Sequence, residues 1–116
     1  MTVQALRDEN GAMARSIEPL EETIDSIVEL LKQKHTDRLQ RGECDIQRGI
    51  SFMEILTNVE RISDHCSNIG VHITQRLSNS EHFDAHAELN QMHNEGSPEY
   101  QALCKYYASI YRDPLT

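Results

Sequence analysis

The chain has 116 residues, a formal net charge of -8, 38% hydrophobic residues and 26% charged ones. That is enough for one domain with one modest core, and the balance is globular rather than disordered. An acidic surface repels phosphate backbones, which argues against nucleic acid as a partner. Hard cations or basic partners suit the charge better, although solubility alone would account for it.

Gly and Pro are scarce, at 5 and 3 residues. This favours helix over a sandwich or barrel, which needs turn residues every ten positions or so. Cys44, Cys66 and Cys104 are widely spaced, with no C-x-x-C pair to suggest a structural zinc or redox site. Free thiols fit a reducing, cytoplasmic setting. No targeting segment is read at Met1-Thr2-Val3-Gln4. The apolar runs fall far short of the roughly 20 residues that span a bilayer, so this chain is not expected to insert.

In chain order, residues 1–15 read as a polar lead-in or short helix, with the main helical domain over 16–116. Ser16 suits a helix cap, with Pro19 in the first turn; a helix that begins earlier should be kinked at Pro19. Ile17, Leu20, Ile24, Ile27, Val28 and Leu31 recur at threes and fours, which predicts an amphipathic helix over about 17–41. Gly42 suits its end, and Asp45 suits the cap of the next helix. That helix is predicted over about 46–78, with Phe52, Ile55, Leu56, Val59, Ile62, Cys66, Ile69, Ile73 and Leu77 as its buried face. Truncating Ile62 would then cost roughly 2–5 kcal/mol. The short connection makes the two helices antiparallel. Two shorter helices are expected after Asp84, to about Asn94, and after Ser97-Pro98-Glu99. The fold class is therefore all-α: a long antiparallel hairpin with two shorter C-terminal helices.

Two segments share a pattern, Glu21-x-x-x-Asp25 and Glu60-x-x-x-Asp64. Residues four apart project from one side of a helix. Counted from the turn, at ~1.5 Å per residue, the two pairs differ by only ~3 Å along the hairpin axis. Four carboxylates at one level can chelate a hard cation, and without one they repel and raise their own pKa values. The plainer reading leaves them solvated or paired with Arg61, Lys32 or Arg38. Iron, manganese, magnesium and calcium suit such oxygen ligands; zinc more often recruits His or Cys.

The stretch Arg38-Leu39-Gln40-Arg41-Gly42-Glu43-Cys44, followed by Asn58-Val59-Glu60-Arg61-Ile62-Ser63-Asp64-His65-Cys66-Ser67-Asn68-Ile69, resembles the PhoU-like domain of bacterial sodium/phosphate cotransporter family proteins. Ile17-Glu18-Pro19-Leu20-Glu21-Glu22-Thr23-Ile24-Asp25 resembles that family's other acidic segment, and Phe83-Asp84-x-His86 with the tyrosine-rich end resembles its tail. The resemblance implies a helical bundle that binds metal through Glu21, Asp25, Glu60 and Asp64 and restrains phosphate uptake. It also implies a membrane transport region in the parent protein and a place on the cytoplasmic face. The helix that would open the repeat is missing from this reading, so the chain is expected to be a partial repeat and a homo-oligomer.

No catalytic constellation is predicted. His82, His86 and His93 share a face only if one helix spans all three, and Asp84 is the better cap. Cys66 lies on the apolar stripe, so an ordinary buried cysteine outweighs a nucleophile paired with His65 or His35. The other function carried forward, from a different class, is a helical oligomerisation module with no metal site.

Overall fold

The computed structural model describes residues 1–78 and 98–116, and the described residues form helices and no strand. Helix α1 spans Thr2–Asp8, α2 Gly11–Gln40, α3 Ile46–Ser78 and α4 Pro98–Tyr107. A π-helical turn over Ala108–Arg112 and a 3-10 turn over Asp113–Leu115 follow α4. The expected helix between Asp84 and Asn94, with His82, His86 and His93, lies outside the described residues.

The turn between the long helices forms as its sequence dictates. Gly42 takes a left-handed φ of 68°. This conformation lets the Glu43 N–H reach the Arg38 carbonyl at 2.9 Å and the Gly42 N–H reach the Leu39 carbonyl at 3.1 Å. The pair of bonds satisfies carbonyls that the end of α2 would leave open. Asp45 then caps α3, its Oδ1 accepting from the Gln47 N–H at 3.0 Å. The hairpin is antiparallel: His35 meets Gly49 near the turn, Lys32 meets Glu60, and Ile17 meets Gly70 towards the open end.

The start of α2 differs from expectation. Ser16 is not its cap; the Ser16 hydroxyl donates to the Ala12 carbonyl instead. Asn10 is the cap, accepting from the Met13 N–H at 3.1 Å. Residues 1–15 supply α1 and the first turns of α2, and Ala5, Ala14 and Ile73 form a small buried cluster. Pro19 thus sits inside the helix, where its nitrogen cannot donate to the Arg15 carbonyl. Burial compensates, because the Pro19 side chain is fully enclosed.

The packing of α3 also corrects the sequence expectation. Its buried residues are Gly49, Leu56, Ser63, Ser67, Gly70 and Ile73. A Cβ at Gly70 would lie 3.1 Å from the Ala14 carbonyl oxygen, and one at Gly49 would lie 2.9 Å from His35 Cε1. The small residues therefore let α3 approach α2 closely at both ends of the contact. Of the large residues expected to be buried, Leu56 and Ile73 are, whereas four are rolled outward: Ile55 is 60% exposed, Val59 40%, Ile62 63% and Ile69 39%. Leu77 is exposed as well. Helix α4 packs along α2 rather than across both long helices. Tyr107 on α4 is buried and Tyr106 is exposed.

Candidate metal centre

Helix α2 places Glu21, Glu22 and Asp25 on one side, and one carboxylate oxygen from each lies within 4.8 Å of the others. The spacing explains this, since residues three and four apart are neighbours on a helix surface. Glu21 is half-buried, while Glu22 and Asp25 are exposed. Burial pushes the Glu21 carboxyl from 4.5 up to about 8; the Asp25 hydrogen bond and the charges of Asp25, Glu18 and Glu22 add to the rise. The neutral Glu21 carboxyl is thus favoured beside Asp25, its hydrogen-bond partner. Three oxygen donors this close fit a hard cation, which would take the proton's place.

The flanks of the cluster are also built. Glu18 is buried and accepts a hydrogen bond from the Ser67 hydroxyl across the hairpin. On the α4 side, Tyr100 and Cys104 share a hydrogen bond, and burial pushes both groups up. Their surroundings include the charges of Glu18 and Glu22. The α4 helix therefore covers the flank of α2 next to the carboxylates. Arg112, beyond α4, donates to the Ser26 hydroxyl at 3.4 Å.

The second predicted pair is placed differently. The Lys32 ammonium donates to Glu60 Oε1 at 3.0 Å. Asp64 is exposed. Neither belongs to the cluster that Glu21 and Asp25 form, whereas Glu22, which the Glu-x-x-x-Asp spacing passes over, does. The signal for Glu22 was present in the sequence as a second carboxylate three residues before Asp25. His35, weighed as a partner for Cys66, is buried at 3% exposure, with Cys44 Sγ 4.0 Å from its Nδ1. Its ring lies 5.2 Å from that of Phe52, over which Arg38 stacks at 5.6 Å.

Fold and cluster together define an acidic helical-bundle domain with oxygen donors gathered on its first long helix. The PhoU domain family matches residues 1–73, more than half of the chain, and the chain belongs to that family. The matched span covers α1, α2 and most of α3, and encloses Glu21, Glu22, Asp25, Glu60 and Asp64. No curated protein and no solved structure matches the chain. No described helix is long and apolar enough to cross a membrane.

Proposed function

We propose that the chain is a regulatory domain on the cytoplasmic side of a sodium-dependent phosphate transport protein, binding a hard metal ion through its carboxylates. Family membership supports the regulatory role, since PhoU domains are regulatory rather than catalytic. The observation that carries the metal reading is the Glu21–Glu22–Asp25 cluster, with a carboxyl held protonated to about pH 8. Iron, manganese, magnesium or calcium would suit these oxygens. Glu60 and Asp64 would join the same ion only after Glu60 releases Lys32.

The test is metal analysis of protein purified without chelator, with melting curves in manganese, magnesium, calcium and iron. The expected result is retained metal or a metal-dependent rise in Tm that Glu21→Gln with Asp25→Asn removes. No metal retained and no shift with any of the four ions would sink the metal reading. The competing reading, a helical interaction module without metal, draws its support from the exposed isoleucines of α3.

A further inference from the structure

Near the hairpin turn a titratable side chain is buried with no part in the carboxylate cluster. His35, on α2, is 3% exposed. Two residues of α3 fix its ring. Phe52 lies against it at 5.2 Å between centroids, tilted by 50°. Gly49 leaves it room, since a Cβ there would come within 2.9 Å of His35 Cε1 and 3.0 Å of Nε2. The remaining neighbour is a thiol. Cys44, in the turn, holds its Sγ 4.0 Å from His35 Nδ1, at the reach of a sulfur hydrogen bond. The thiol also lies 3.4 Å from the Asp45 carbonyl oxygen, to which it can donate. Of these two acceptors only the imidazole can take the proton away. Among the described residues, Cys44 is the one hydrogen-bond contact of His35.

The three cysteines are free and partly exposed, yet their surroundings differ. Cys104 shares a hydrogen bond with Tyr100, and burial pushes its thiol up. Cys66 lines an apolar groove beside Val59 and Ile62. Among the described residues, Cys44 alone has an imidazole within hydrogen-bond reach. It also stands just before the start of α3, where the positive end of a long helix dipole lies, although the Asp45 carboxylate caps the same end. An imidazole neighbour and a helix N-terminus are the surroundings in which cysteines act as nucleophiles.

We propose that Cys44 is a site of thiol–disulfide exchange with small disulfides, with His35 as its base. The Sγ proton passes to His35 Nδ1, and the thiolate attacks one sulfur of the disulfide RSSR. A bond forms between Cys44 Sγ and that sulfur as the S–S bond of RSSR breaks. The departing RS⁻ takes the proton back from the imidazolium and leaves as RSH. Cys44 is thereby oxidised to a mixed disulfide, half of RSSR is reduced to RSH, and His35 returns to its neutral form. At ~1.5 Å per residue, His35 lies about 21 Å along α2 from Glu21, so the site stands apart from the carboxylates and does not rest on the metal reading.

The test exposes the reduced full chain, in chelator at neutral pH, to hydroxyethyl disulfide, a neutral probe. Peptide mass spectrometry follows the adduct at each cysteine. Cys44 should react at least about 10-fold faster than Cys66 or Cys104. His35→Gln and, separately, His35→Phe should slow Cys44 by about 10-fold and leave the other two cysteines at their own rates. Loosening of the turn has the opposite sign, because a more open thiol reacts faster. A slowed Cys44 therefore reports loss of the base rather than of the fold. Cys44 reacting no faster than the other two overturns the proposal. So does a Cys44 rate that both replacements leave unchanged or raise. Should one variant lose helix content, the other decides the result.

Discussion

Helices α2 and α3 are close in length and carry the same Glu-x-x-x-Asp spacing, yet they give those carboxylates different lives. Helix α2 is wrapped by α1, α3 and α4 and buries Ala14, Ile17, Glu18, Pro19, Thr23, Val28 and His35. On so crowded a helix Glu21 loses water, shares a hydrogen bond with Asp25 and holds its proton to about pH 8. Helix α3 packs on α2 through small residues and meets α1 along Val59 to Leu77, while α4 lies on α2, and Ile55, Val59, Ile62 and Ile69 remain exposed. There Glu60 reaches Lys32 and Asp64 faces water. Sequence spacing sets which groups share a helix face; the number of neighbouring elements sets what those groups become.

The largest effect that should separate the helices is metal-linked. A hard cation at 100 times its Kd stabilises the fold by about 2.7 kcal/mol if it binds only the native state. Glu21→Gln with Asp25→Asn should remove that gain, while Glu60→Gln with Asp64→Asn should retain most of it. Equal loss from both pairs would join the two pairs in one site and erase the distinction.

Packing gives the next contrast. Val28, on α2, is 1% exposed, and Val28→Ala should cost about 2 kcal/mol in denaturant unfolding. Ile62→Ala on α3, measured in dilute protein, should stay within about 0.5 kcal/mol because the side chain already faces solvent. A large loss at Ile62 under dilute conditions would mean that α3 is rolled towards its isoleucines.

Acid should favour the apo fold, because Glu21 has a raised pKa in the native state. Below about pH 4.5 the group is protonated both folded and unfolded, and its contribution is fully present. Between about 4.5 and about 8 the unfolded chain releases the proton that the folded chain keeps, so stability falls as pH rises. Apo Tm should therefore decline across that window, and Glu21→Gln should flatten the decline. A Tm rising steadily from pH 5 to 8, unaltered in the variant, would contradict the crowding of the cluster.

The smallest effect is expected at Lys32. Its ion pair with Glu60 is partly exposed, so Lys32→Met should cost no more than about 1 kcal/mol. If the metal shift grows in that variant, Glu60 is a ligand that the lysine holds away.

The hairpin was legible in the sequence because Gly42 and Asp45 carry their structural roles in their own backbone and side-chain chemistry. The start of α2 was less so. Ser16 before Pro19 resembles a helix start, but Asn10 supplies a competing cap, and the burial of Ala14 and Ile17 extends the helix past the proline. The face of α3 was misread for a related reason. Hydrophobic periodicity weights large side chains and is blind to Gly49, Ser63, Ser67 and Gly70, whose smallness lets two backbones approach. That rotation of α3 also sets the surroundings of the second carboxylate pair. It turns Glu60 to Lys32 and Asp64 to solvent, which the axial register of the two pairs could not reveal.

The most direct test of the account is a carbon-detected NMR titration of the Glu21 side-chain carboxyl, repeated with a hard divalent cation. The midpoint should lie near pH 8 in the apo protein and move down when the cation displaces the proton. A midpoint near 4.5, unmoved by the cation, would contradict both the crowded cluster and its use as a metal centre.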